Sequence, residues 1–180
     1  KRVKPDYKLQ LADIIRIPPV RVSTPEIRIP TPELRKLIQD SIIYLDESLL
    51  VINKPTGLSV HAGTGVKISL IDVMRDIYKD EYIELVHRID KGTSGCLLLA
   101  RNSSALKKLQ AGFKTRVIKK SYHALVHGRW PQQLEEINVA LQRSAAAGGE
   151  RTVSVSEQGQ KSLTHFSLIK QFKQHSLVLA

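Results

Sequence analysis

A turn built almost entirely from glycine and hydroxyl residues, Lys91-Gly92-Thr93-Ser94-Gly95, separates two runs that read as β-strands. Tyr82-Ile83-Glu84-Leu85-Val86 precedes it, and the solidly apolar Cys96-Leu97-Leu98-Leu99-Ala100 follows. A short apolar run bounded by turn residues is the pattern of an interior strand. A loop suspended between interior strands has its side chains fixed by the scaffold, and reactive groups concentrate on such loops. Asp90 stands at the mouth of this turn and is the first candidate for chemistry.

Extended backbone over residues 82–90 places Leu85, His87 and Ile89 on one face and Val86, Arg88 and Asp90 on the other. Arg88 and Asp90 are then neighbours, and a guanidinium that close favours an ionised carboxylate. A carboxylate nucleophile works only when deprotonated. A second reading stays open: the Asp90 side chain caps the turn that follows, with Arg88 as its surface partner.

Around this centre the sequence predicts an α+β arrangement. Residues 9–17 alternate apolar and polar as a strand does. Pro18, Pro19, Pro25, Pro30 and Pro32 then fall within a short span that resists helix and sheet, so a boundary is placed at residues 18–33. Ile42-Ile43-Tyr44-Leu45 and Leu49-Leu50-Val51-Ile52 form a hairpin about Asp46-Glu47-Ser48, and the second strand leads into the turn-rich Asn53-Lys54-Pro55-Thr56-Gly57. Helical spacing of Leu70, Val73, Met74 and Ile77 predicts an amphipathic helix over residues 69–79. Leu106, Leu109 and Phe113 predict another over residues 103–114, capped by Ser103 or Ser104. Strands are expected at residues 122–126, 151–155, 164–169 and 176–179, with a flexible connection at 145–150.

The 28 Lys and Arg against 17 Asp and Glu leave a charge of +11, which favours a polyanionic partner. No apolar run approaches the roughly 20 residues of a membrane-spanning helix, and no signal-peptide pattern opens the chain. Cys96 is the single cysteine, so no internal disulfide or cysteine-rich zinc site forms; it is expected to pack as a small hydrophobe, and a reducing cytoplasm suits it. Residues 114–120 carry Lys114, Arg116, Lys119 and Lys120. They serve either as a phosphate track or as a charged strand edge that discourages pairing. Tyr122 is either core filler or an aromatic face that stacks on a base. His123 and His127 share a strand face without the glutamate of a zincin motif, so no metal site is expected. His61 lies on a glycine-containing loop, as a site residue or a turn residue. That loop, residues 57–65, lacks the Gly-Lys-Ser/Thr ending of a P-loop.

Taken together, these motifs carry a family resemblance. His87-Arg88-Ile89-Asp90 followed by Thr93-Ser94-Gly95 closely resembles the His-Arg-Leu-Asp…Thr-Ser-Gly signature of the RluA-type pseudouridine synthases. Asn53-Lys54-Pro55-Thr56-Gly57-Leu58-Ser59-Val60-His61 is similar to the family's first motif, and Lys120-Ser121-Tyr122 matches its Lys-x-Tyr element in order and position. Gly148-Gly149-Glu150-Arg151 is similar to a segment of the branch that acts on large-subunit ribosomal RNA. A fainter likeness of Ile89-Asp90-Lys91-Gly92-Thr93 to haloacid-dehalogenase-type phosphotransferases fails at Gly92, where those enzymes place a second acid.

The resemblance implies a mixed, mainly antiparallel sheet with peripheral helices, truncated at both ends. Residues 1–20 would be the C-terminal remnant of an S4-like RNA-binding domain, 21–33 a proline-rich linker, and 34–180 a catalytic domain incomplete at its C-terminus. It implies isomerisation of uridine to pseudouridine without cofactor, metal or energy source, by a monomeric cytoplasmic enzyme with ribosomal RNA as partner and no membrane. Asp90 would be the nucleophile, attacking the ribose C1′ or the uracil ring of a flipped-out nucleotide. Arg88, Tyr122 and His61 would bind the substrate nucleotide, and Lys54, Arg116, Lys119 and Lys120 would contact RNA phosphates. Extruding a base costs a few kcal/mol, which stacking and phosphate contacts must offset. The family's third motif, with an arginine that pairs the aspartate, is expected beyond the 176–180 strand. A reading from another class is a non-catalytic RNA-binding module of the same fold.

Overall fold

The computed structural model describes residues 7, 8, 10–14, 29–63, 68–145 and 151–180. The chain divides into two compact units, residues 1–110 and 111–180.

The first unit is an antiparallel sheet with helices on one face. Helix α1 (Pro32–Asp40) leads into strand β1 (Ile42–Leu45) and strand β2 (Leu49–Lys54). Helix α2 (Leu70–Ile77), the short strand β3 (Glu84–Leu85) and strand β4 (Gly95–Ala100) follow. The strand order is β1-β2-β4-β3. In the β2–β4 ladder Ile52 faces Leu97 and Leu50 faces Leu99, so the period of two sends all four inward together. They are fully buried against Leu70, Val73 and Met74 of α2 and Ile38 of α1. An ion pair between Arg35 and Asp76 ties the two helices at the edge of this core.

Helix starts follow local chemistry. Thr31 Oγ1 accepts from the Leu34 amide at 3.3 Å, and Pro32 takes the first helical position, where its missing N–H costs nothing. The Asp72 carboxylate accepts from both the main-chain N–H and the hydroxyl of Ser69, at 2.9 and 2.6 Å, to hold the start of α2. Helix α3 (Ser103–Lys114) spans the division between the units. Its cap is Asn102, not Ser103 or Ser104, because the Asn102 Oδ1 accepts from the Ala105 amide at 2.8 Å.

In the second unit, strands β5 (His123–His127), β6 (Glu136–Ala145), β7 (Arg151–Val155), β8 (Gln160–His165), β9 (Ser167–Gln171) and β10 (His175–Leu179) form two antiparallel sheets, β5-β10-β9 and β7-β6-β8. A buried serine organises the first of them. The Ser176 hydroxyl donates to the Gly128 carbonyl at 2.8 Å and accepts from the Trp130 amide at 2.8 Å, with Gln171 Oε1 at 2.9 Å.

Several expectations need correction. The strand expected over residues 9–17 is a turn at residues 10–14, where the Gln10 amide donates to the Asp13 carboxylate at 2.7 Å; its other residues lie outside those described. Most of the proline-rich linker, residues 21–28, is also outside them, but the last two positions of the expected 21–33 segment already belong to α1. The strand expected at 82–86 is reduced to Glu84–Leu85. The one expected at 164–169 is two strands interrupted at Phe166, whose amide turns away to the Glu135 carbonyl at 2.7 Å. The connection expected at 145–150 begins on a strand residue, Ala145 of β6; residues 146–150 are not described. Cys96 lies on β4 as expected but is exposed, because alternation puts it opposite the face of Leu97 and Leu99.

Truncating Leu99 to Ala is expected to cost about 2–5 kcal/mol in urea denaturation, since the fully buried site cannot close over the void. Asn102→Ala, which removes only a cap, is expected to cost about 1 kcal/mol.

Candidate active site

The loop after β2 and the turn before β4 meet because their strands are adjacent, with Lys54 opposite Gly95 at the end of the ladder. Three bonds dock one on the other. The Gly57 amide donates to the Lys91 carbonyl at 2.8 Å, the Thr56 hydroxyl donates to the Gly92 carbonyl at 2.9 Å, and the Lys54 ammonium reaches the Lys91 carbonyl at 3.4 Å. Gly57 adopts φ +82°, a conformation glycine takes without a Cβ penalty, and this bends the loop back onto the turn.

Lys54 corrects the expectation of a phosphate contact. Its side chain is fully buried, and Nζ also donates to the carbonyls of Pro55 and Leu58, at 2.9 Å each. Three carbonyls take the three ammonium hydrogens, so none is turned toward a phosphate. Burial pushes the Lys54 ammonium below the ordinary lysine range, and the nearby Asp90 carboxylate pulls it back up. Lys54 is thus an internal clamp between the loop after β2 and the turn that follows Asp90.

Asp90 itself is exposed. The turn beside it is closed through the main chain: the Thr93 amide donates to the Asp90 carbonyl at 3.1 Å. The carboxylate takes no part in that turn, which removes the capping explanation for an acid here. Arg88 is also exposed, and among the described residues no ion pair joins it to Asp90. The strict alternation expected through residue 90 is lost because Val86 and Ile89, three apart, are both buried. His61 is exposed on the loop between β2 and α2. The preceding carbonyls of Ser59 and Val60 accept the amides of Leu70 and Ile71 and satisfy the start of α2.

The remaining predicted residues lie in the second unit. Arg116, Lys119 and Lys120 are exposed on a segment without regular structure, so the charged strand edge offered as an alternative is not what forms there. Arg116 has φ +59°, uncommon for a residue with a side chain, and reverses the chain after α3. Lys120 sits 6.0 Å from the Phe113 ring centre. Tyr122 is 38% exposed, with its main chain paired to Ala180 at 2.7 and 2.8 Å. A cleft of about 620 Å³ opens beside it, lined by Lys120, Tyr122, Leu163, His165, Phe166 and Leu179. His127 makes an edge contact with His175, ring centres 5.3 Å apart; among the described residues no three potential ligands cluster to hold a metal. No helix among them is long and apolar enough to cross a membrane.

Sequence reasoning missed two contributors to this site. Thr56 was named only as a turn residue of the first motif, and His87 only in an alternation and in the family signature; the Leu98 amide donates to His87 Nε2 at 3.2 Å. The partner of each is set by the folded register.

Lys54→Met should destabilise the chain by about 1–3 kcal/mol in urea denaturation, because three carbonyls lose their donor. A pH series adds a sign. With the native ammonium lowered, the unfolded chain binds more protons between that lowered value and the ordinary lysine range, so this group makes stability rise with pH there. The methionine variant should lack that increment.

The sequence pattern of the RNA pseudouridylate synthase family matches residues 48–180. The chain is 42% identical to ribosomal large subunit pseudouridine synthase C of Pasteurella multocida over 99% of its own length and 56% of that protein's. It is 39% identical to the Escherichia coli K12 protein of the same name, again over 99% of the chain and 57% of the relative. The chain therefore spans little more than half the length of these relatives. Two solved human structures share its architecture. RNA pseudouridylate synthase domain containing 4 has a TM-score of 0.65 at 26% identity, covering 82% of this chain and 60% of that one. RNA pseudouridylate synthase domain containing 1 has a TM-score of 0.62 at 26% identity, covering 77% and 57%. The chain belongs to the RNA pseudouridylate synthase family.

Proposed function

We propose that this chain carries out the isomerisation of specific uridines to pseudouridine in large-subunit ribosomal RNA, with Asp90 as nucleophile. The observation that carries the proposal is an exposed carboxylate left out of the bonding of its own turn, within the family-matched region. The names of its relatives support the ribosomal substrate.

In this reading the ionised Asp90 attacks either the ribose C1′ or the uracil ring of an everted nucleotide. The bond between N1 and C1′ breaks, the base turns, a bond forms between C5 and C1′, and the bond to the Asp90 carboxylate breaks again to release the free acid anion. The proton leaves C5 and N1 regains one, so atoms and charge balance. Lys54, bonded to the carbonyls of Pro55, Leu58 and Lys91, holds the first-motif loop against the turn that carries Asp90. Tyr122 offers a half-open aromatic face on which a uracil stacks, worth about 1–3 kcal/mol toward eversion. Arg88 and His61, both exposed, bind the nucleotide, and Arg116, Lys119 and Lys120 hold the phosphate backbone.

Asp90→Asn, near in size but not nucleophilic, should abolish pseudouridine formation in a chemical map of ribosomal RNA while leaving RNA affinity within about threefold. Undiminished conversion would reject the assignment and leave the non-catalytic RNA-binding reading. Replacing Arg116, Lys119 and Lys120 together by Ala should flatten the dependence of log affinity on log salt by about 2–3, at about 0.7–0.9 per lost phosphate contact. An unchanged slope would remove the phosphate track.

A further inference from the structure

We infer that His87 is a positioning residue: its ring takes over a main-chain bond of the sheet and fixes the point where the chain leaves β3 for the Asp90 turn. The argument rests on the ladder register and on the nucleophile assignment proposed above. Strands β3 and β4 pair Glu84 with Ala100 and Leu85 with Leu99, which places Val86 opposite Leu98. Residues facing each other at such a position in an antiparallel ladder exchange two bonds, each amide donating to the other's carbonyl. Only one of the two follows that pattern here. The Val86 amide donates to the Leu98 carbonyl at 3.1 Å. The Leu98 amide donates at 3.2 Å to Nε2 of His87, in the place of the Val86 carbonyl.

The substitution has a geometric consequence. With its return bond taken by a side chain, the Val86 carbonyl is no longer tied to β4, and the strand ends at Leu85. Val86 and Ile89 both turn into the core, and the exposed Asp90 follows one residue later. Leu98 in turn lies between Leu97 and Leu99, both fully buried, on the strand that follows the turn. The imidazole therefore references the start of the Asp90 segment to the strand that carries the fully buried Leu97 and Leu99. A donor aimed at Nε2 requires that nitrogen to be unprotonated, and the bond needs an acceptor at that distance along the side chain. Glutamine has one, since its Oε1 is as many bonds from Cα as Nε2 is. Asparagine Oδ1 falls a bond short, and phenylalanine keeps the ring without an acceptor.

The test compares His87→Gln, His87→Asn and His87→Phe in the intact protein, with two readouts. Amide hydrogen exchange at Leu98 should accelerate at least tenfold in the Phe and Asn variants and return toward the original rate in the Gln variant. Turnover on ribosomal RNA should fall about 10- to 100-fold in the Phe and Asn variants, as for a reacting group displaced by about an ångström, with KM within about threefold. The Gln variant should recover most of that loss. Should the Phe variant fail to fold, the Asn and Gln pair carries the comparison. A Leu98 amide equally protected in all variants, or a Gln variant as slow as the Asn variant, overturns the inference. Exchange needs no catalysis, so the two proposals fail separately. Full conversion by Asp90→Asn with exchange following the side chain at 87 removes the nucleophile alone. An inactive Asp90→Asn with Leu98 indifferent to residue 87 removes the anchor alone.

Discussion

A charged amine sealed beneath the surface is the constraint on which the first unit depends. Taking an ammonium out of water costs several kcal/mol unless its hydrogens are met. The Lys54 side chain can stay charged and buried only while the carbonyls of Pro55, Leu58 and Lys91 converge on it. Two of those belong to its own loop and the third to the turn that carries Asp90. The third bond therefore joins the two motifs, beside the Gly57 and Thr56 bonds to the same turn. Any displacement of the turn leaves a buried charge short of a partner, so the geometry of the loop is held by electrostatics as much as by packing.

The sheet beneath supplies what the clamp cannot. Leu50, Ile52, Leu97 and Leu99 interdigitate across β2 and β4 and are sealed by α1 and α2, so the strand ends on which the loops stand cannot drift. The main chain closes the turn there, and the Asp90 side chain is exposed, with no hydrogen bond or ion pair of its carboxylate among the described residues. In the second unit, cationic side chains stand on irregular backbone after α3, and the partly exposed Tyr122 lines a cleft of about 620 Å³.

Much of the secondary structure was legible because the patterns were local. The apolar spacing over α2 and α3 and the short, largely apolar runs along β2, β4 and β10 each arise within a few residues. Helix α1 was missed although Thr31-Pro32-Glu33 is a strong start signal, because the density of prolines before it outweighed the signal. Strand β6 was missed because its apolar alternation is diluted by polar and charged residues. The length of β3 could not be read, since it depends on where the Leu98 amide finds its acceptor, and that acceptor is a side chain rather than the next carbonyl.

The sequence by itself determined the family, the place of Asp90 on a turn between strands, and the cationic surplus, because these depend only on residue identity and order. Tertiary structure decided what each charged group faces. Lys54 reads as a surface cation until the pairing of β2 with β4 closes over it. Cys96 reads as core until the register puts it on the outer face. Asp90 reads equally well as a cap until the main chain is seen to close the turn without its carboxylate. Burial and hydrogen-bond partnership are relations between segments distant in the chain, and only the folded register brings them into contact.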